Sequence, residues 1–257
     1  MLKRADPMRL FSECRKKLIV LSMVLPLLFS FQVIRKSKVS FYSEDGIKIT
    51  ADHYYSKKSN PYIILLHQEG ASRGEFDSIA DRFIKMNYNC LAVDLRSGDR
   101  YGFTVNETAL EARENSLSTS LMESIKDVRA SVEYVKKMSD HPVILLGSSF
   151  SASLAIIAAK ADTAVKAVVA FSPGEFFLPV TEIKNELQDF NKPIFAGFSE
   201  EEAPYVREMF SLSTSNKISL FYPSYNAGKR TAEALLSSND SNDEYWLALL
   251  IFLRSLQ

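Results

Sequence analysis

The 257 residues are 46% hydrophobic and 24% charged, which excludes a disordered chain and suffices for one large domain or two small ones. Lysine plus arginine equals aspartate plus glutamate at 31 each, but nine bases and only two acids precede residue 39, leaving 22 bases against 29 acids beyond it. That acidic remainder argues against a nucleic-acid partner. Cys14, in the basic leader, and Cys90, in an apolar run, are the only cysteines, which argues against an intramolecular disulfide and leaves no paired-cysteine zinc pattern.

Residues 1–38 form a basic leader around an uncharged run of 17 residues, Leu18 to Ile34, with Arg15, Lys16 and Lys17 immediately in front. As a helix of about 1.5 Å per residue it would reach roughly 25 Å, slightly short of a ~30 Å hydrocarbon layer. It reads either as an uncleaved signal anchor or as a cleaved export signal, although the Ala-x-Ala type of cleavage site is missing. In both cases the positive N-terminal flank predicts a membrane-anchored or exported protein, with its domain of residues 39–257 on the non-cytoplasmic side.

Val39 to Tyr42, the turn Glu44-Asp45-Gly46 and Ile47 to Tyr55 predict a hairpin. Tyr62 to Leu66 and Cys90 to Val93 are apolar strands on either side of an amphipathic helix marked by Phe76, Ile79, Ala80, Phe83 and Ile84. Leu95 to Ser116 is expected to be a long irregular stretch bordering the site. Leu121, Ile125, Val128, Val132 and Val135 line one helical face. Val143 to Leu146 is a strand running into Gly147, and Ser151 to Ala161 a helix of small residues. Strands follow at Val165 to Phe171, Ile194 to Gly197 and Ile218 to Tyr222, with a closing helix at Tyr245 to Leu256. Buried strands alternating with helices imply an α/β fold with a mostly parallel sheet, helices on both faces and no large lid.

Between the strand ending at Leu146 and the following helix lies Gly147-Ser148-Ser149-Phe150-Ser151, close to the G-x-S-x-G elbow with Ser149 at the nucleophile position. His67-Gln68-Glu69-Gly70-Ala71 occupies the place of a loop that lends a backbone N–H to an oxyanion hole, with the second N–H from Phe150. With Asp94-Leu95-Arg96-Ser97-Gly98 and Phe171-Ser172-Pro173-Gly174-Glu175, these segments resemble the α/β-hydrolase superfamily, in particular its small branch of dienelactone hydrolases and serine aminopeptidase-like esterases. The resemblance implies a sheet of about eight strands and a Ser, acid, His triad in that chain order.

The chain departs from that pattern. Its histidines, His53, His67 and His141, all precede Ser149, and Ala227 stands where the triad histidine is expected. For the acid, Glu200 and Glu175 remain alternatives, each also readable as a solvated or helix-starting carboxylate. His67 is the nearest candidate for a displaced base, or else simply ties its loop down. Three functions follow: an impaired or inactive relative that binds a ligand in the old cleft; a serine hydrolase of ester or amide bonds using a displaced base; and a membrane-tethered interaction protein. Glycine spacing fits neither a dinucleotide fingerprint nor a phosphate loop, so no cofactor is expected, nor is a metal.

Overall fold

The computed structural model describes residues 35–213 and 215–256. The leader's apolar run, and with it the expected anchor or export signal, falls on residues outside this set. Among the described residues no helix is long and apolar enough to cross a membrane.

Among the described residues, ten strands and seven α-helices follow in chain order. The strands are β1 (Arg35–Tyr42), β2 (Lys48–Tyr55), β3 (Tyr62–Leu66), β4 (Asn89–Val93), β5 (Arg100–Tyr101), β6 (Thr104–Val105), β7 (Val143–Ser148), β8 (Val165–Phe171), β9 (Ile194–Gly197) and β10 (Ile218–Phe221). The helices are α1 (Asp77–Lys85), α2 (Glu107–Glu114), α3 (Ile125–Lys136), α4 (Phe150–Ala161), α5 (Ile183–Gln188), α6 (Ala203–Met209) and α7 (Asn242–Ser255). Eight strands form one sheet in the order β1-β2-β4-β3-β7-β8-β9-β10. β1 pairs antiparallel with β2 and β2 antiparallel with β4, whereas every other pair is parallel.

Alternation along the central strands divides the core in two, because successive side chains of a strand point to opposite faces. Ile64, Leu66 and Leu145 pack with Val128 and Val132 of α3 and Leu154 of α4 on one face. Ile63, Leu65 and Leu146 pack with Ile79 and Phe83 of α1 and Trp246 and Leu249 of α7 on the other. Since both faces are covered, these strands read as continuous apolar runs.

Two expectations need correction. The hairpin strand starts at Arg35, four residues before the apolar stretch, because Arg35 to Lys38 pair with Asp52 to Tyr55 through backbone groups that are indifferent to the charged side chains. The stretch Leu95 to Ser116 is also not irregular throughout: it holds the β5–β6 hairpin and α2. Helix α2 is nucleated by Asn106, whose side chain accepts from the Ala109 N–H at 2.8 Å. Its inward face is made of Thr108, Ala109 and Ala112, too small to give an apolar stripe.

The parallel strands bring their C-terminal ends to one edge of the sheet, where ligand sites of open α/β sheets form. His67, Asp94, Ser149, Ser172 and the segment after Gly197 all lie immediately beyond such ends.

Candidate active site

Ser149 links β7 to α4 with φ 60° and ψ −124°, a conformation that L-residues avoid and that sharp strand-to-helix turns impose. Its N–H is held by the Phe171 carbonyl of β8 at 2.8 Å. Gly147 is required here, since a Cβ at that position would lie 2.3 Å from the Ser151 carbonyl oxygen. Ser151, where the elbow pattern has its last glycine, has a task of its own. Its Oγ accepts from the Ser148 N–H at 2.9 Å and donates to the Leu66 carbonyl at 2.7 Å, stitching β7 to β3 beneath the elbow.

The Ser149 side chain is half-buried, and among the described residues no group accepts a hydrogen bond from its Oγ. His67 does not serve it. The ring is fully buried; Nε2 accepts from the Leu95 N–H at 2.8 Å, and Nδ1 donates to the Gln68 carbonyl at 2.7 Å. Burial, the dominant cause, lowers its pKa to about 4 and keeps it neutral. With the Nε2 lone pair taken by Leu95, His67 holds the loop and has none to offer a hydroxyl, which corrects the expectation of a displaced base. His53 Nε2 lies 2.9 Å from the Tyr62 hydroxyl, and His141 is exposed in the turn leading into the opposite end of β7.

The oxyanion loop divides its donors. The Gln68 N–H is committed to Glu75 Oε2 at 2.8 Å and cannot meet a ligand. Among the described residues, the N–H groups of Glu69 and Phe150 have no partner, and the Glu69 side chain is exposed. The Gln68 side chain turns instead towards Glu233 Oε1, 3.5 Å away.

The segment after β10 reaches the elbow through Thr231 and Ala232. The Thr231 N–H donates to Ser172 Oγ at 2.7 Å and the Ala232 N–H to Ser148 Oγ at 3.0 Å. Ala227, where the histidine is expected, lies earlier in that segment, its carbonyl accepting from the Glu200 N–H at 2.8 Å. Thr231 adopts φ 61° and ψ −175°, a region that is essentially glycine's and is strained for a β-branched residue.

Of the three acids in Glu200-Glu201-Glu202, the last faces the cleft. Glu202 Oε2 accepts from the Ser172 hydroxyl at 2.9 Å and from the Ser199 N–H at 3.0 Å, while Oε1 accepts from Arg230 Nε at 3.0 Å. Glu200 is exposed. Glu175 caps α5, its oxygens accepting from the N–H groups of Ile183 and Lys184 at 2.6 and 2.8 Å. The sequence does carry a signal for Glu202, since Ser199-x-x-Glu202 forms a capping box that aims the carboxylate back along the chain. A cavity of about 300 Å³ lies between Gln68, Ser199, Glu201, Glu233 and the stretch from Ala227 to Thr231. Among the described residues no cluster of histidine, cysteine and carboxylate side chains could hold a metal ion.

Asp94 and Arg96 serve the frame. Asp94 accepts from the Arg73 N–H and Glu107 N–H, both at 2.8 Å, and pairs with the Arg73 guanidinium at 2.5 Å. Arg96, fully buried, donates to both carboxylate oxygens of Asp127 and to Asp45.

Sheet order, elbow and flanking loops together define an α/β-hydrolase. An esterase of Pyrococcus furiosus shares the fold with a TM-score of 0.65 at 17% identity, over 86% of this chain and 93% of that one. A dienelactone hydrolase of Anabaena variabilis does so with a TM-score of 0.62 at 14% identity, over 85% of this chain and 95% of that one. No curated protein matches the chain. The sequence model of the dienelactone hydrolase family matches residues 49–213, and the chain belongs to that family.

Proposed function

We propose that this chain is a hydrolase-family protein that binds carbonyl-bearing ligands at its elbow and turns them over far more slowly than a complete triad would. The observation that carries this reading is the lack of a proton acceptor on Ser149 Oγ among the described residues, combined with the absence of any histidine after Ser149. A serine hydroxyl at neutral pH is a weak nucleophile unless a neighbouring base takes its proton. Loss of the histidine from a serine triad costs on the order of a millionfold in turnover and leaves roughly 10³ to 10⁴ over water. The strained Ser149 backbone and the unpartnered N–H groups of Glu69 and Phe150 support retained ligand binding and slow residual ester hydrolysis.

In this reading Thr231 stands at the vacated imidazole position and Glu202 at the acid's, with the Ser172 hydroxyl between them. The test is hydrolysis of p-nitrophenyl acetate together with labelling of Ser149 by a fluorophosphonate. The unmodified protein is expected to label slowly, at Ser149 only, and to hydrolyse the ester at a rate that Thr231→His raises at least about 100-fold. The strained φ and ψ of position 231 apply to histidine as to threonine, so the folding of the variant is read from its circular dichroism spectrum alongside its activity. Esterase turnover of ordinary magnitude in the unmodified protein would overturn the reading.

A further inference from the structure

Glu75 lies in the 3-10 turn Arg73–Phe76, and its side chain points into the protein, leaving the residue 1% exposed. The oxyanion loop meets this carboxyl directly, and the segment after β10 is tied to the neighbouring Ser148. Glu75 Oε2 accepts from Gln68 N–H of the oxyanion loop at 2.8 Å; the hydroxyl of Ser148, the residue before the nucleophile position, acts on it to favour its charged form; and that same Ser148 Oγ accepts from Ala232 N–H of the segment after β10. Oε1 is buried without a partner.

Among the described residues no cation pairs with it. The charged group that acts on Glu75 is the Glu233 carboxylate from the turn after Thr231, and the neutral phenol of Tyr101 from β5 has its own pKa raised by burial and by both carboxylates. The adjacent Arg73 directs its guanidinium to Asp52, Asp94 and Glu107, and Lys229 pairs loosely with the outer side of Glu233 at 3.7 Å. Burial, the largest influence, lifts the Glu75 pKa to about 7, with Glu233 adding to the rise and Ser148 and Gln68 opposing it. A buried carboxyl in this condition exchanges its proton under mild conditions.

The free N–H groups of Glu69 and Phe150 favour a negative oxygen, so a carboxylate seated at the elbow would bring its charge beside Glu75 and Glu233. Like charges in a desolvated site raise the affinity for protons. We propose that the cleft takes carboxylate ligands together with one proton from solvent, and that Glu75 is the group that holds this proton. This rests on the reading of the elbow as a ligand site and adds to it a ligand charge and a coupling. In the bound state Glu75 is a carboxylic acid, and the charge of the ligand is balanced by that uptake.

The test is calorimetric titration of the full chain with benzoate, and with benzamide as the neutral counterpart, at pH 8 in phosphate and in Tris. The two buffers have different ionisation enthalpies, so the difference in observed heat counts protons. Benzoate is expected to bind with an uptake approaching one proton, its affinity falling about tenfold per pH unit above pH 8, and benzamide with none. In Glu75→Gln, which keeps an oxygen to accept the Gln68 N–H, benzoate binding should proceed without uptake and lose its pH dependence. Glu233→Gln should diminish the uptake and leave it measurable. Benzoate binding without proton uptake in the unmodified protein, or uptake that survives in Glu75→Gln, overturns the coupling; if benzamide still binds, the reading of the cleft stands. Failure of both probes to bind overturns both.

Discussion

Ser151 puts a motif and its physics in opposition. Restoring the family's glycine with Ser151→Gly recreates G-x-S-x-G, yet it removes the hydroxyl that satisfies the Ser148 N–H and the Leu66 carbonyl in a fully buried place. Two backbone groups left unpaired in the core cost about 1–3 kcal/mol each, so the variant is expected to lose at least about 2 kcal/mol of stability in urea unfolding despite its better motif. Gly147→Ala should be worse, because the added methyl meets Ser151 backbone at 2.3–2.4 Å rather than a side chain that can swing away. The elbow was legible in the sequence for this reason: its small residues are demanded by local geometry over five positions. Thr231, Glu202 and Glu75 were not. The roles of Glu202 and Thr231 depend on hydrogen bonds with Ser172, 30 and 59 positions away, which no local spacing encodes, and that of Glu75 on a bond from the Gln68 N–H within the folded loop.

Among the elements, the loop after β4 is held by a buried ion cluster rather than by apolar packing. Arg96 ties that loop to α3 through Asp127 and to the β1–β2 turn through Asp45, whose carboxyl the guanidinium holds far below the usual range. Burial alone would push the Asp127 carboxyl up, and Arg96 opposes that. Removing one partner of a buried pair leaves the other charge uncompensated, whereas replacing both with apolar groups is often neutral. Asp127→Asn is therefore expected to cost about 3 kcal/mol, and the triple variant Arg96→Met, Asp127→Leu, Asp45→Asn, which removes the whole cluster, to recover most of it, as read from denaturant midpoints. Strands β3, β8 and β9 match their expected ranges to the residue, because every position but the exposed Lys166 of β8 is buried. Helix α2 escaped because its packing face against β2 is built from Thr108, Ala109 and Ala112, leaving only the Asn106 cap as a signal.

At the scale of the whole molecule, the order β4-β3-β7 requires crossovers that periodicity cannot specify, although the alternation of strand and helix did specify the class. The same sheet edge also places two opposed titrations within one loop's reach. His67 has its pKa lowered from 6.5 to about 4, so the unfolded chain gains a proton first as pH falls, and stability of about 3 kcal/mol is lost between those values. Glu75 has its pKa raised from 4.5 to about 7, so the folded chain keeps a proton that the unfolded chain releases, and a similar amount is lost as pH rises from 4.5 to 7. Where the two windows overlap their slopes cancel, and only Glu75 acts between pH 6.5 and 7. Glu75→Gln removes one side of this balance while leaving His67, and Asp94 with its pKa lifted by burial to about 6, unchanged. Its melting temperature relative to the unmodified protein should therefore rise with pH from 4.5 to 7 and level off beyond. At pH 8 a gain of about 3 kcal/mol corresponds to roughly 6–12 °C for a domain of this size, measurable by calorimetry across pH 4 to 9. A melting difference independent of pH would mean that Glu75 is ionised throughout, and the carboxyl would then have to find its counter-charge outside the groups that surround it in the folded chain.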